Sequence, residues 1–168
     1  MNEMRKLRIE KVTVNIGVGE AGERLRKAES VLETLTHQKP ARTISKTTNK
    51  EWGIRKKMPI GCKVTLRKEK AYDFLKRALW TRNYKIADWS FDEEGHISFG
   101  IPDHTEFKEM KYEPDIGVFG MDVSITFERA GYRIKRRRIG KRKIPHRHRV
   151  TREEAMELLK NEFQVEVV

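Results

Sequence analysis

The segment GVGEAG, residues 17–22, fits the G-x-G-x-x-G pattern of dinucleotide-binding loops and lies between a strand pattern and a helix pattern, where such a loop belongs. Three features count against a nucleotide site. Glu20 would place a negative charge beside the pyrophosphate, the next strand pattern ends in a Ser-Lys-Thr run rather than an acid for the ribose, and no second mononucleotide-binding half follows. The alternative is a turn of small residues whose backbone amides are open to an anion.

The histidines and the single cysteine do not form a catalytic or metal-binding pattern. His146 and His148 lie beside Arg147 and Arg149, which disfavour a bound cation and favour phosphate. Cys62 cannot form an internal disulfide, and the five scattered histidines do not complete a four-ligand zinc site with it. No acidic pair has a Ser, Cys or Lys nucleophile marked out nearby. The sequence therefore predicts no catalytic residue, no metal and no cofactor.

Positive charge is concentrated in two segments of this 168-residue chain, whose net charge is +12. Residues 129–152 carry twelve Lys or Arg and no acid, and residues 34–68 carry ten basic residues and one acid. The rest of the chain has 15 basic and 24 acidic residues, so it is net acidic. This distribution favours a polyanionic partner that touches two segments.

The denser basic segment is RIKRRRIGKRKIPHRHRVTR, residues 133–152. So many like charges repel each other unless phosphates or other anions lie between them. Isoleucine recurs at every fifth position, and Gly140 and Pro145 argue against a continuous helix. We expect an extended basic arm over residues 133–149, partly anchored by its isoleucines and ordered on RNA. RNA is favoured over DNA because no helix-turn-helix, zinc-finger or basic-zipper pattern is present.

The second basic segment contains TTNKEWGIRKKMPIG, residues 47–61, which sets Trp52 among four basic residues. Its apolar residues keep neither a strand period nor a helix period, so we expect a long exposed loop.

The elements that flank these segments mix strands and helices. Residues 7–16 alternate as a strand, with a slip of phase near Lys11 that predicts a bulge, and residues 42–47, 62–67, 96–101 and 118–134 are further strand patterns. Apolar residues at helical spacing predict helices over 25–35 and 71–80, and Thr151 with Glu154 predicts a capping box that begins a last helix. We expect a single α+β domain over residues 1–168, with two layers. Helices cover one face of a largely antiparallel sheet, and the other face is free for a partner.

Four stretches carry a resemblance to a known family: VTVNIGVGEAGERLRKAESVLETLTHQKP, IRKKMPIGCKVTLR, DIGVFGMDV and HRVTREEAMELL. Together, in this order along nearly the whole chain, they resemble the ribosomal protein L5 family of the large ribosomal subunit, and most closely its archaeal and eukaryotic branch. The resemblance implies a two-layer α+β fold, no catalytic activity, binding of 5S rRNA and a place in the central protuberance of the large subunit. It also implies that the loop at 47–61 reaches toward transfer RNA in the peptidyl site.

The resemblance and the charge pattern together define the expected contacts. Uncharged hydrogen-bonding side chains can read sugars and base edges while basic side chains neutralise phosphates. The expected rRNA contacts are Asn15, Gln38, Lys39, Arg42, Lys46, Lys63 and Thr65, with Arg136, Arg137, Arg138, Lys141 and Arg142 of the arm. The expected transfer-RNA contacts are Lys50, Trp52, Arg55, Lys56 and Lys57, with Trp52 either stacking on RNA or packing within the loop.

The expected partners are 5S rRNA, 23S-type rRNA, peptidyl-site transfer RNA and neighbouring ribosomal proteins, including those of the small-subunit head. No apolar run approaches the roughly 18 residues of a membrane span, and the first residues lack the apolar core of a signal peptide, so we expect a soluble cytoplasmic protein. Two other classes stay open on the residues alone: an enzyme that uses GVGEAG for a nucleotide, and an adaptor for acidic proteins or anionic membranes. Neither accounts for the resemblance along the whole chain.

Overall fold

A computed structural model of the chain describes residues 3–168. Five strands form one sheet in the order β2-β3-β1-β6-β5, with every neighbouring pair antiparallel, and two short strands form a separate parallel pair, β4-β7. The strands are β1 (Leu7–Gly17), β2 (Ala41–Ile44), β3 (Pro59–Leu66), β4 (Lys85–Ile86), β5 (Ile97–Ile101), β6 (Met121–Arg129) and β7 (Glu166–Val167). The helices are α1 (Glu23–Thr36), α2 (Glu69–Thr81) and α3 (Arg152–Phe163).

The central strand β1 shows why one face of the sheet is apolar. Ile9, Val12, Val14 and Ile16 are all buried, and the residues between them are not. The spacing breaks once, between Ile9 and Val12, because the register with β6 shifts between Ile9 and Lys11. The predicted bulge near Lys11 is therefore confirmed, with Glu10 as the extra residue.

The three helices pack on this apolar face. α1 buries Leu25, Ala28, Val31, Leu32 and Leu35, and α2 buries its own stripe from Ala71 to Leu79. The rings of Tyr72 in α2 and Phe163 in α3 stack with their centroids 5.9 Å apart. The predicted α+β fold with helices on one face of a mostly antiparallel sheet is confirmed.

The start of α3 ties the helix layer to the sheet. Thr151 and Glu154 form the predicted capping box, each side chain bonding the backbone N–H of the other. The Glu154 carboxylate also pairs with Arg129 at the end of β6, whose side chain is only 5% exposed. Glu154 thus caps a helix end and pairs with a buried guanidinium, whose Nε has no hydrogen-bond partner among the described residues.

Several element boundaries differ from the sequence patterns. The strand predicted over 118–134 is too long: β6 covers Met121–Arg129 and ends before Gly131, whose φ of +91° starts a turn. The strand predicted over 42–47 is β2, which ends at Ile44. The strand predicted from residue 62 starts earlier, at Pro59. Residues 59–61, which were predicted to belong to the loop at 47–61, are therefore part of β3. None of the helices within residues 3–168 has the length and apolarity of a transmembrane span.

Candidate RNA-binding surface

The face of the sheet opposite the helices is polar, and we call it the polar face. In an antiparallel sheet, paired residues point to the same side. One row across this face runs Lys63, Asn15, Asp122, and the next runs Thr65, Thr13, Ser124, Ser98. The two serine hydroxyls of the second row lie 2.7 Å apart. The polar face therefore offers hydrogen-bonding groups in fixed positions.

Four of the residues predicted to contact rRNA come together at the β3 side of this face. Asn15 lies opposite Lys63, and Thr65 lies opposite Thr13 on the neighbouring strand. The side-chain amide of Gln38, from the turn after α1, donates a 3.4 Å hydrogen bond to the Thr65 carbonyl. Lys39 follows Gln38 in that turn and is exposed. Lys46, also exposed, lies beyond the end of β2.

Arg42 lies on the other side of the sheet. It is paired with the buried Cys62, so its side chain points to the helix face, where its Nε lies 2.5 Å from Oε1 of Glu29 in α1. This hydrogen bond holds the pKa of the Glu29 carboxyl below its ordinary value. The structure thus separates Arg42 from Asn15, Lys63 and Thr65.

The loop between β2 and β3, residues 45–58, forms a hairpin that is closed by backbone hydrogen bonds. Ser45 and Met58 pair through their backbones at its base, and Asn49 and Ile54 exchange two hydrogen bonds of 2.8 and 2.9 Å near its tip. The Trp52 side chain sits in the turn between them and is 72% exposed. Trp52 is therefore outside the hydrophobic core, at the end of a hairpin with a defined shape.

The cations of this loop have no internal partners among the residues that the structure describes. The side chains of Lys50, Arg55, Lys56 and Lys57 are all exposed, and no carboxylate of residues 3–168 lies within ion-pair distance of any of them. Such charges are open to phosphate groups.

The basic arm, residues 133–149, is more compact than the extended arm expected from its sequence. Its two ends meet at Tyr132, whose hydroxyl donates to the His148 carbonyl at 3.2 Å and accepts from the Val150 N–H at 3.0 Å. The isoleucines anchor it in part, since Ile144 is buried while Ile139 is 81% exposed. The arm is thus a loop closed at its base, with its tip in solvent.

Two glutamates hold one arginine of the arm against the sheet. Arg136 donates to Glu10 and to Glu128, both at 2.6 Å, and these carboxylates also pair with Arg67 and Arg8. The side chains of Glu10 and Glu128 are only 10% and 13% exposed. Sequence reasoning did not find these two acids. Glu10 lies 126 residues from Arg136 along the chain, and Glu128, eight residues away, gives no sequence signal of its own, so the only signal was the phase slip beside Glu10.

Among the other predicted arm contacts, Arg137 donates from Nε to the Gly140 carbonyl at 2.9 Å. Arg138, Lys141 and Arg142 are exposed and lie within ion-pair distance of no acid in the described part of the chain. Arg136 is thus the arm residue most engaged within the protein, whereas Arg138, Lys141 and Arg142 keep their charge uncompensated by any described carboxylate.

The GVGEAG segment does not form a dinucleotide site. A Rossmann unit needs a parallel β-α-β arrangement, whereas β1 here has antiparallel neighbours on both sides. The backbone amides of Val18 and Gly19 both donate to the Ile60 carbonyl, at 3.0 and 2.8 Å. They are therefore not open to an anion, and the segment is a turn between β1 and α1.

Three of the five histidines, His96, His104 and His148, are hydrogen-bonded within the fold. His148 Nε2 lies 2.8 Å from the Ala130 carbonyl, and the buried His104 accepts from the Phe119 N–H through Nδ1 at 3.3 Å. Within residues 3–168 no three His, Cys, Asp or Glu side chains are grouped so that they could hold a metal ion.

Comparison with known proteins gives matches along nearly the whole chain. The family model described as ribosomal protein L5 matches residues 2–55, and the model that describes the C-terminus of the same ribosomal family matches residues 59–161. The large ribosomal subunit protein uL5 of Thermoplasma volcanium is 54% identical, covering 100% of this chain and 99% of the relative. The protein of the same name from Sulfurisphaera tokodaii is 56% identical over 100% of this chain and 96% of its own, and that from Methanosphaera stadtmanae is 54% identical over 99% of each.

The relatives are archaeal components of the ribosome, which is cytoplasmic, and they are structural proteins rather than enzymes. These matches confirm the resemblance drawn from the sequence. The chain therefore belongs to the ribosomal protein L5 family and is a structural, non-enzymatic constituent of the large ribosomal subunit.

Proposed function

We propose that the chain binds 5S rRNA through the β3 side of its polar face. The observation that carries this proposal is that Asn15, Gln38 and Thr65 present uncharged hydrogen-bonding groups beside Lys63 on a sheet face that none of the described helices covers. RNA helices display 2′-hydroxyls and base edges in a wide, shallow minor groove, and such groups suit neutral donors and acceptors. Lysines around them neutralise phosphates.

Charge on the polar face favours this side of the sheet over the other. Asp122 lies opposite Asn15 on β6, and its exposed carboxylate repels phosphate. Toward β3 and β2 the charged residues are instead Lys63 and, in the adjoining turn and loop, Lys39 and Lys46. The RNA backbone therefore runs along the β2–β3 side, with Asn15 at its boundary.

The two basic projections take other partners in this proposal. The β2–β3 loop contacts peptidyl-site transfer RNA through Lys50, Trp52 and the Arg55–Lys57 run, since it ends in an exposed ring beside unpaired cations. The arm contacts 5S rRNA and 23S-type rRNA, while the acidic remainder of the chain faces neighbouring ribosomal proteins, including the small-subunit head. Residues 1–168 act as one RNA-binding unit of the central protuberance.

The test is direct binding to isolated 5S rRNA between 50 and 200 mM salt. If about six phosphates are neutralised, affinity falls by roughly three orders of magnitude over that range. Asn15→Ala and Thr65→Ala each cost about 1 kcal/mol, or about fivefold in affinity, with little change in the salt slope. Asn161→Ala in α3 and Thr34→Ala in α1 are the matched controls on exposed helix surface, and they leave affinity unchanged.

Two outcomes would remove the proposal. A flat salt response would show that phosphate neutralisation is absent. Affinities for Asn15→Ala and Thr65→Ala equal to those of their controls would take these residues off the RNA surface. Competition by heparin at equal charge separates the alternative of a general polyanion adaptor, because heparin should displace 5S rRNA poorly if the uncharged contacts contribute.

A further inference from the structure

A cavity of about 640 Å³ lies between the sheet and the basic arm. Eight Lys or Arg side chains and two Glu side chains line it, from β1, the residue after β3, the segment around Glu94 and the arm. Its size falls within the range of small-ligand sites in proteins. A cavity with this surplus of positive charge attracts an anionic ligand.

The bulge in β1 builds the sheet side of the cavity. In a regular strand, successive side chains point to opposite faces, so Glu10 and Lys11 could not both face one cavity. The register shift makes Glu10 an extra residue, and Lys11 is then paired with Thr126 on the polar face. As a result Glu10 and Lys11 both line the cavity. Bulges often re-aim side chains beside functional sites.

The two acids do not neutralise the cavity. Glu10 is shared by Arg67 and Arg136, and Glu94 lies 4.0 Å from Lys135. The remaining five basic side chains have no carboxylate within ion-pair distance among the described residues, and they are Lys11, Lys141, Arg142, Lys143 and Arg149. Five uncompensated positive charges around one cavity repel each other, and a bound phosphate relieves that repulsion.

The cavity also has an apolar wall and a fixed rim. Ile144, Val150 and Tyr132 line it, and Tyr132 also closes the base of the arm through its two hydrogen bonds. Arg136 holds the arm to the sheet through both glutamates. The walls are thus set before a ligand arrives, which lowers the conformational cost of binding.

We propose that this cavity binds one phosphate-bearing nucleotide unit, with the phosphate at Lys11, Lys143 and Arg149 and the sugar or base against the apolar wall. The volume exceeds what a phosphate ion alone fills, and the mixed lining suits a group with one anionic end and one apolar ring. Two ligands have this chemistry: an internal nucleotide of rRNA and a free nucleotide. The first rests on the proposed function, since it makes rRNA the partner of the arm.

The arm itself supplies a matched control. Arg138 is exposed, carries the same charge as Lys143, lies in the same arm and does not line the cavity. If the arm acted only as a cloud of positive charge, Lys143→Gln and Arg138→Gln would have equal effects. If the cavity is a site, only Lys143→Gln and Lys11→Gln disturb it.

The first experiment measures binding of adenosine 5′-monophosphate to the free full-length protein by calorimetry or NMR titration at low salt. Saturable one-to-one binding is expected, weakened at least fivefold by Lys11→Gln or Lys143→Gln and less than twofold by Arg138→Gln. Unchanged thermal melting of each variant shows that the fold is intact. This experiment does not depend on rRNA. It therefore shows whether the cavity binds a free nucleotide even where rRNA binding fails.

The second experiment is phosphate ethylation interference with 5S and 23S-type rRNA. With the parent protein, ethylation at one or two phosphates is expected to block binding. That block disappears with Lys11→Gln and Lys143→Gln and persists with Arg138→Gln. Interference without binding of the free nucleotide assigns the site to RNA, and binding of the free nucleotide alone assigns it to that source. No saturable nucleotide binding, together with the same interference pattern in all variants, would overturn the proposal.

Discussion

Shortening the β2–β3 loop separates its role from that of the rest of the fold. We consider replacement of residues 48–57 by Gly-Ser-Gly-Ser, which removes the tip with Trp52 and keeps the Ser45–Met58 pair at the base. Loop closure from ten to four residues gains about 0.8 kcal/mol from the logarithmic dependence on length. The hydrogen bonds lost with the tip join exposed groups, which bond to water in the shortened loop, so their net contribution is small. The free energy of unfolding should therefore change by no more than about 1 kcal/mol, or about 4 °C in Tm.

Transfer-RNA contact should suffer in two distinguishable ways. Arg55, Lys56 and Lys57 are exposed and unpaired, so loss of three phosphate contacts would lower the salt slope by about 2–3 units. Trp52, if it stacks on a base, adds about 1–3 kcal/mol that is nearly independent of salt. The triple change of Arg55, Lys56 and Lys57 to Gln removes the first contribution, and Trp52→Ala removes the second.

The assay compares large subunits assembled with each variant for 5S rRNA incorporation and for occupancy of the peptidyl site by transfer RNA at several salt concentrations. Lys70→Gln and Lys76→Gln on α2 serve as charge controls on an exposed helix. Normal occupancy with the shortened loop would refute the transfer-RNA contact. A fall in Tm far beyond 4 °C would instead show that the loop supports the fold.

Three further predictions test the placement of single residues. Lys63→Gln should lower 5S rRNA affinity and reduce the salt slope by up to about one unit, whereas Arg42→Gln, on the opposite face of the sheet, should change affinity less than twofold; equal losses would contradict the assignment by face. Thr151→Ala should cost about 1 kcal/mol of stability by removing a helix cap, and Glu154→Ala about 2–3 kcal/mol because it also leaves a buried guanidinium unpaired; similar melting temperatures for the two variants would count against this reasoning. Burial raises the pKa of the Cys62 thiol to about 11, so a disulfide reagent at pH 8 should label it only after unfolding. The free energy of unfolding should fall above about pH 9, where the unfolded chain releases the proton that the folded protein keeps. Labelling of the native protein at the rate of a free thiol would refute this.

Much of the fold follows from local patterns in the sequence. The alternation in β1 predicts its buried face, and the phase slip near Lys11 predicts a bulge that is present. Thr151 and Glu154 predict the start of α3 because a capping box needs only residues three apart. These signals are local, so no knowledge of strand pairing is required to read them.

Local sequence patterns do not show on which face of the sheet the Arg42 side chain lies. β2 has only four residues, and Ile44, the apolar residue that would define its inner face, is 59% exposed. Without a buried alternation, only the pairing of Arg42 with Cys62 in β3 tells which side the guanidinium takes. The same holds for β4 and β7, whose two-residue strands are too short to show a period.

The arm shows a different limit, because its contacts with the sheet depend on strand pairing. Glu10 and Glu128 come from two strands and meet Arg136 only after β1 pairs with β6. In the sequence, the run around Arg136 is uniformly basic and gives no sign that one member is held against the sheet. Long-range pairing, rather than composition, selects that residue.

The acids near the two basic segments are used to fix the fold, and this leaves most of the basic charge open. Of the 22 Lys and Arg in residues 34–68 and 129–152, sixteen have no carboxylate within ion-pair distance among the described residues. If these charges served only solubility, the 25 acids of the chain could lie among them at no cost to the core. Instead the nearby acids hold arginines at a helix, a bulge and the base of the arm. The repulsion left among the others is lost only when phosphates enter, so the same placement that shapes the arm and the loop also favours RNA over any neutral partner.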